Sequence, residues 1–418
     1  MRIAYVVHQF PPHSVGGTEV YTWGLARAIA AMGHEVHVFY PLRGANIQNA
    51  HVCQDGLHLW RVPMADRGTN PVSAFWHTFR NGALEADFGR FLTATDPDLV
   101  HFQHLQGVSA RLLSLAAPRP RVVTLHDYWY FCANSQLIKP DGSLCAGPRG
   151  GWRCSTCGAA RAGVAFHRAL QPALAIPFLY RNRFLRRQMH EVECYVAPSN
   201  FVRDVYVQEG WPAERIIVIE HGLDRSRLGG ADQLSSVFAR PHFVFLGSIA
   251  WQKGVHILIQ AFNELPESAS LTIYGDVTLF PDYVARLQAL VRHPHVRFAG
   301  PLDHHSIGDA LRTADYVVIP SLWHETFCLV AQEAHGARVP VIASRLGALQ
   351  ERVRDGIDGR LFRAGDRKDL ERVLRDLITH PEYRERYAGR INEPPSMEQH
   401  AERLVALYGE LLAAQSRG

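Results

Sequence analysis

Apolar residues fall in short unbroken runs along this chain, and between the runs they recur at helical spacing. RIAYVV (2–7) is a continuous β-type run that breaks at Pro11-Pro12 and a glycine pair. GTEVYTWGLARAIAAMGHE then has helical periodicity and stops at Gly33, and VHVFY (36–40) reads as a second strand. DLVHFQ (98–103), RVVTLHD (121–127), YVAPSN (195–200) and RIIVIEHGLD (215–224) continue the series. A polar, Gly/Ser-containing stretch, SRLGGADQLSSVFARP (226–241), interrupts it as a linker. The alternation then restarts with FVFLGS (243–248), LTIYGD (271–276), VRFAG (296–300), YVVIPS (316–321) and VPVIAS (339–344). Past Pro394-Pro395, SMEQHAERLVALYGELLAAQ is one long amphipathic helix.

Strands that are apolar throughout and separated by helices predict parallel sheets covered on both faces. The expected fold class is therefore α/β, with two Rossmann-like, doubly wound domains facing a central cleft. Residues 1–225 form the first domain, 226–241 the linker, 242–396 the second domain and 397–418 the closing helix. The halves repeat an architecture but not a sequence. In such sheets ligands bind at the carboxyl ends of the strands, so those ends are where chemistry is sought.

Composition narrows the function classes. A length of 418 residues suits two domains, and 47% apolar residues can fill two cores. A net charge of only +4 gives no sign of a nucleic-acid partner. The opening MRIAYVVHQFPP has no basic leader region or cleavage site, and no run approaches the roughly 20 apolar residues of a membrane span. Seven cysteines, an odd number, fit a reduced compartment better than a disulfide scaffold. The expectation is a cytoplasmic protein.

Three strand ends carry candidate chemistry. VGGTEV (15–20) places Gly16 and Gly17 at a helix start, where backbone can approach an anion; a plain strand-to-helix turn is the other reading. It is not GxGxxG, and Tyr40 stands where a dinucleotide site needs an acid, which argues against a dehydrogenase. GSIAWQKGV (247–255) again sets a glycine at a strand end and Lys253 just before a helix, a cation suited to phosphate. In PSLWHETFCLVAQE (320–333), Glu325 lies in the loop after a strand and Glu333 two turns along the next helix. The amides of Phe327, Cys328 and Leu329 are then expected to be open to a phosphate. The two carboxylates can each reach a different hydroxyl-bearing ring of one ligand, such as a sugar and a ribose joined by a diphosphate.

Taken in order, GGTEV, His126 in TLHD, APSNFVRD, EHGLD, GSIAWQKG, PSLWHETFCLVAQEA and GARVPVIAS resemble the retaining glycosyltransferases of glycosyltransferase family 4, which have the GT-B fold. The E-x7-E segment, with PS before it and PVIAS after it, is the specific part. The resemblance implies transfer of a sugar from a nucleotide-diphosphate-sugar (a UDP- or GDP-sugar) to a hydroxyl acceptor, which could be a glycan, a lipid-linked compound or a small molecule. It implies that Glu333 binds the ribose and that Glu325 contacts the donor sugar. The amides after Glu325 would hold the diphosphate, Lys253 would neutralise it as it leaves, and Gly16 and Gly17 would approach it from the first domain. His126 would sit beside the sugar, and the last helix would pack back on the first domain. No cofactor or catalytic metal is expected. The alternatives are an inactive nucleotide-sugar-binding protein, or a phosphorylase or epimerase using the same site.

Two departures stand out. Ser248 occupies the place of a common arginine, leaving more to Lys253 or to Arg345. ETFC replaces the common EGFG, so Thr326 and Cys328 crowd a place usually held by glycine.

Two further segments remain. Cys132, Cys145, Cys154 and Cys157 fall within 26 residues, in a polar stretch poorly able to bury a core. CSTC is a C-x2-C pair, but the C-x12-C before it is not a standard finger spacing. Zinc, iron–sulfur, disulfides and free thiols are all open; a structural zinc is the expectation. RAGVAFHRALQPALAIPFLYRNRFLRRQMH (161–190) is an apolar stretch with a basic end, either a peripheral membrane patch or a core helix with a solvated basic face.

Overall fold

The structure is a computed structural model that describes residues 1–13, 16–44, 48–64, 71–163, 170–229, 240–302 and 306–417. The chain divides into two compact units, one of Met1–Gly222 with Met397–Gly418 and the other of Leu223–Ser396.

The first unit holds an eight-stranded sheet. Its strands are β1 (Arg2–Val6), β2 (Glu35–Arg43), β3 (Ala50–Gln54), β4 (Leu57–Met64), β5 (Leu99–Phe102), β6 (Arg121–Thr124), β7 (Cys194–Ala197) and β8 (Ile216–Val218). Their spatial order is β3-β4-β2-β1-β5-β6-β7-β8, with β3 alone antiparallel to its neighbour. The β3–β4 hairpin was not legible as strands, because β3 is an exposed edge with no apolar face.

The helix Gly17–Ala31 covers one face of this sheet, and the closing helix Met397–Gln415 packs beside it, as expected. Ala401, Leu404, Leu407 and Tyr408 enter the same core as Ile3, Tyr5 and Leu25. The Tyr408 hydroxyl lies 3.0 Å from that of Tyr5 and 2.6 Å from His101 Nδ1, so a buried polar chain ties the last helix to β1 and β5.

The second unit is an all-parallel six-stranded sheet. Its strands are β9 (His242–Leu246), β10 (Ser270–Tyr274), β11 (Val296–Gly300), β12 (Tyr316–Ile319), β13 (Val341–Ser344) and β14 (Gly359–Phe362), in the order β11-β10-β9-β12-β13-β14. Two apolar cores flank it, one built on Phe243, Ile259 and Ile273 and the other on Val244, Val317 and Ala334. In both units the central strands are fully buried, which is why they read as unbroken apolar runs.

The boundary lies elsewhere than the composition suggested. Residues 226–228, within the expected linker, belong to a short turn of helix, Arg225–Leu228, that is part of the second unit. Leu228 is buried there, and its backbone comes so close to Gly308 that a Cβ on that glycine would lie 2.1 Å from the Leu228 carbonyl oxygen. The rest of the expected linker, 230–239, lies outside the described residues, as do Val15 of the first glycine turn and 164–169 of the basic stretch. The helix Gln171–His190 turns Arg181 and Asn182 inward, bonding the carbonyls of Trp129 and Phe131 at 2.7 and 3.0 Å. Ile176, Leu179 and Tyr180 stay exposed on its outer side. Among the described residues no helix is long and apolar enough to cross a membrane.

Candidate functional site

Two loops at the carboxyl ends of adjacent strands in the second unit bring polar side chains together. One follows β9 and runs through the turn Trp251–Lys253 into the helix Val255–Phe262; the other follows β12. They are stitched by the Leu322 amide, which donates to the Gln252 carbonyl at 2.8 Å. Gly254 makes the approach feasible: its φ is +72°, and a Cβ there would lie 1.9 Å from the Pro320 carbonyl oxygen.

The stitching brings Lys253 to Glu325. Lys253 Nζ donates to Glu325 Oε1 at 2.8 Å, and the same oxygen accepts from Ser321 Oγ at 2.6 Å and Trp323 Nε1 at 2.8 Å. Burial pulls the Lys253 pKa down, but the Glu325 carboxylate outweighs it, so the ammonium ends above its ordinary value. The Trp323 ring adds a face for the cation, 5.4 Å from Nζ. Behind Glu325, the Ala348 amide holds its carbonyl at 2.9 Å. The sequence places both residues near a phosphate-bearing ligand; their direct pairing needs the fold.

Between the two glutamates the structure corrects one expectation. The helix starts at Leu329, two residues later than expected, and Phe327 lies before it, its ring buried under the Arg352 guanidinium at 4.0 Å. The cause is Cys328, which takes a left-handed conformation with φ +70° and so cannot be the first helical residue. The helix amide field therefore opens from Leu329, while Phe327 and Cys328 belong to the approach. Thr326 is buried beside them.

Glu333 is buried on this helix and meets a residue that no local sequence signal marks. Arg227 Nη1 lies 2.6 Å from Glu333 Oε1, both side chains being almost withdrawn from solvent. Burial raises the Glu333 pKa, Arg227 opposes that rise, and Asp224 adds to it. Asp224 also caps the turn that carries Arg227, accepting from the Ser226 amide at 3.0 Å. Arg227 sits in the stretch taken for linker, where nothing local marked it.

Ser248 is exposed in the loop after β9. Arg345, the candidate to replace the missing arginine, is paired instead with Asp355 at 2.5 Å.

In the first unit the strand ends gather imidazoles. Gly16 caps the helix Gly17–Ala31 and packs so near Glu19 that a Cβ would lie 2.4 Å from that carboxylate; Gly17 opens the helix and is exposed. His126 follows β6, with Nε2 2.9 Å from Gln103 Oε1 and its ring 5.1 Å from that of Tyr21. Burial, with His104, His101 and His400 nearby, holds the His126 pKa well below the ordinary imidazole value, so the ring is neutral at pH 7. His104, after β5, bonds Asp127 Oδ2 at 3.0 Å, and its ring lies tilted 4.5 Å from that of His8, which follows β1. His8, His104 and Asp127 were not singled out from the sequence; their shared position at strand carboxyl ends was the available signal.

The four cysteines after His126 are free thiols, with Cys132 and Cys154 buried and Cys145 and Cys157 half-buried. Ile138 and Leu144 pair as a short antiparallel bridge within their loop. The four sulfur atoms do not form a group lying within 4.8 Å of one another.

The model of Glycosyltransferase Family 4 matches residues 15–227, and that of Glycosyl transferases group 1 matches residues 235–392. A D-inositol 3-phosphate glycosyltransferase of Xylanimonas cellulosilytica is 30% identical over 385 residues, covering 89% of this chain and 86% of the relative. Among solved structures, sucrose-phosphate synthase of Thermosynechococcus elongatus aligns with a TM-score of 0.73 at 19% identity, covering 99% of each chain. Anabaena HepE, solved in complex with UDP-glucose, aligns with a TM-score of 0.64 at 18% identity over the full length of both chains.

Proposed function

Because this chain belongs to glycosyltransferase family 4 and is a glycosyltransferase of the GT-B fold, we propose that it moves a sugar from a nucleoside-diphosphate sugar to a hydroxyl group with retention of anomeric configuration. The observation that carries this reading is the pair Lys253–Glu325 at a strand carboxyl end, with a second buried carboxylate, Glu333, on the helix that follows. The relative solved with UDP-glucose supports a donor of this class.

In this reading Glu333 accepts hydrogen bonds from the ribose hydroxyls, and Arg227 favours its charged form against burial. The diphosphate lies against Lys253 and the amides from Leu329 onward. Glu325 divides its bonds between Lys253 and the donor sugar. In the first unit, the Gly16 and Gly17 backbone is of the kind that receives a phosphate, and neutral His126 is a hydrogen-bonding group of the kind that meets a sugar. The acceptor oxygen attacks the anomeric carbon from the face the phosphate leaves. The C–O bond to the phosphate breaks, and the acceptor proton passes to the departing phosphate oxygen. Negative charge grows on the diphosphate toward the transition state, and a fixed ammonium stabilises it there more than in the ground state.

A structural zinc on Cys132, Cys145, Cys154 and Cys157 remains part of the proposal. It requires the four sulfurs to draw together, and elemental analysis of protein purified without added metal decides it. A thermal-shift screen of UDP-, GDP- and ADP-sugars tests the main reading. Ligand at ~100 times its Kd stabilises by about 2.7 kcal/mol, and a flat response to every nucleotide sugar counts against it.

A further inference from the structure

The edge hairpin of the first sheet carries a set of side chains that glycosyl transfer does not use. β3 and β4 are joined by Asp55-Gly56, both with positive φ (52° and 76°), the two-residue turn whose twist matches that of its strands. That turn fixes the register: Gln54 faces Leu57, Cys53 faces His58, and His51 faces Trp60. The residues flanking such a turn close it with hydrogen bonds, so the next pair, Cys53–His58, is of the kind whose side chains lie closest. His51, two residues before Cys53, shares its face of the sheet.

The ligand atoms of His51, Cys53 and His58 all lie within 4.8 Å of one another, the group among the described residues that converges in this way. Cys53 Sγ is 3.3 Å from His58 Nδ1. Metal bonds of about 2.0–2.3 Å set at tetrahedral angles put neighbouring ligand atoms ~3.5 Å apart, so this edge is already near the length a metal would impose. The rings are held from behind. His51 stacks on Trp60 at 4.3 Å, and His58 stacks on His37 at 4.7 Å. His37 is itself fixed at both nitrogens, by Glu35 at 2.8 Å and by the Trp60 indole N–H at 3.3 Å, so it backs the site rather than joining it.

We infer that His51, Cys53 and His58 form a surface site for one borderline-soft divalent transition metal, zinc being the natural occupant, with solvent completing the tetrahedron. Two imidazoles and a thiolate suit zinc, cobalt, nickel or copper, and with no oxygen ligand they do not suit magnesium or calcium. The site bridges β3 and β4 across the sheet edge. Its ligands belong to the first unit, whereas the Lys253–Glu325 pair belongs to the second.

Cobalt(II) alone, titrated into the purified reduced protein, tests the inference, because a thiolate on cobalt gives a charge-transfer band in the near ultraviolet. Zinc alone, added in a calorimeter, gives the stoichiometry. The wild type is expected to show the band and to bind one equivalent more than either Cys53→Ser or His58→Ala. Both variants keep Cys132, Cys145, Cys154 and Cys157, so metal on those thiols appears equally in all three proteins. Cys53 is exposed and His58 half-buried, and an unchanged metal-free melting curve shows that the hairpin still folds. His51→Gln is expected to retain the cobalt band but to bind at least tenfold more weakly. Equal metal stoichiometry in the wild type, C53S and H58A would overturn the site, as would a cobalt band of undiminished intensity in C53S.

Discussion

The Lys253 ammonium sits 2.8 Å from Glu325 Oε1, on an oxygen that also accepts from Ser321 and Trp323. A cation that must later meet a diphosphate is thus stored against a carboxylate, and ligand binding has to share it between two anions. Lys253→Ala is expected to lower kcat more than it raises KM, because the charge it meets grows toward the transition state. Glu325→Gln keeps the shape but frees the ammonium, so it should spare binding of a free nucleoside diphosphate and weaken binding of the nucleotide sugar. Steady-state kinetics and calorimetry on the two variants check this. A change confined to KM in K253A would reduce the lysine to a ground-state anchor.

Glu333 is charged only as far as Arg227 can offset its burial. Affinity for a nucleoside diphosphate should therefore fall as pH drops through a Glu333 pKa set above the usual carboxylate range. Arg227→Ala removes the lowering influence, so it should move that midpoint further up and cost about 3–5 kcal/mol of stability through the unpaired buried acid. Glu333→Ala should lose ~1–3 kcal/mol of nucleotide affinity. Calorimetry of UDP and GDP across pH, with Glu333→Gln as the variant that cannot titrate, isolates the effect from titration of the phosphates.

The first unit should be acid-sensitive. His101 and His400 have pKa values lowered to about 3 and about 4, and His8 and His126 are also held low, in each case chiefly by burial. Unfolded imidazoles bind protons near pH 6.5 and these do not, so their stabilisation is complete above that pH and is lost as pH falls toward the folded values. Every tenfold loss of proton affinity on folding corresponds to about 1.4 kcal/mol of that stabilisation. Calorimetric melts at descending pH should show an early loss of the unit that contains these histidines. A melting profile unchanged between pH 7 and pH 5 would contradict it.

Gly254→Ala tests the stitch between the two loops. Alanine at φ +72°, 1.9 Å from the Pro320 carbonyl oxygen, must push the β9 and β12 loops apart. The left-handed conformation alone costs about 1–2 kcal/mol, and the overlap adds to it. Activity should fall with stability, because Lys253 and Glu325 are carried on opposite sides of the contact. Thermal unfolding and kcat measured together would show a lowered melting temperature and a lowered rate.

Much of this was legible beforehand because burial writes itself into sequence. β1, β5, β6, β9, β12 and β13 are buried along their length and read as apolar runs, and the return of the last helix to the first unit followed from the resemblance. Lys253, Glu325 and Glu333 stood out by their position at a strand end and on the helix that follows. What was not legible depends on contacts distant in the chain. The pairing of Lys253 with Glu325 spans 72 residues, and that of Arg227 with Glu333 starts in a stretch without apolar periodicity. The exposed β3 had no core face to reveal it, and the later helix start follows from one backbone angle at Cys328.

Donor turnover without an added acceptor reaches the central claim most directly, since water can replace the hydroxyl. Proton NMR of protein mixed with UDP- or GDP-sugars follows the anomeric signal of the sugar as it is first released, before mutarotation. The expected result is consumption of one nucleotide sugar, release of sugar with the donor's own anomeric configuration, and loss of that turnover in Lys253→Ala. Release of the opposite anomer, or turnover untouched by removing Lys253, would contradict the proposed reaction.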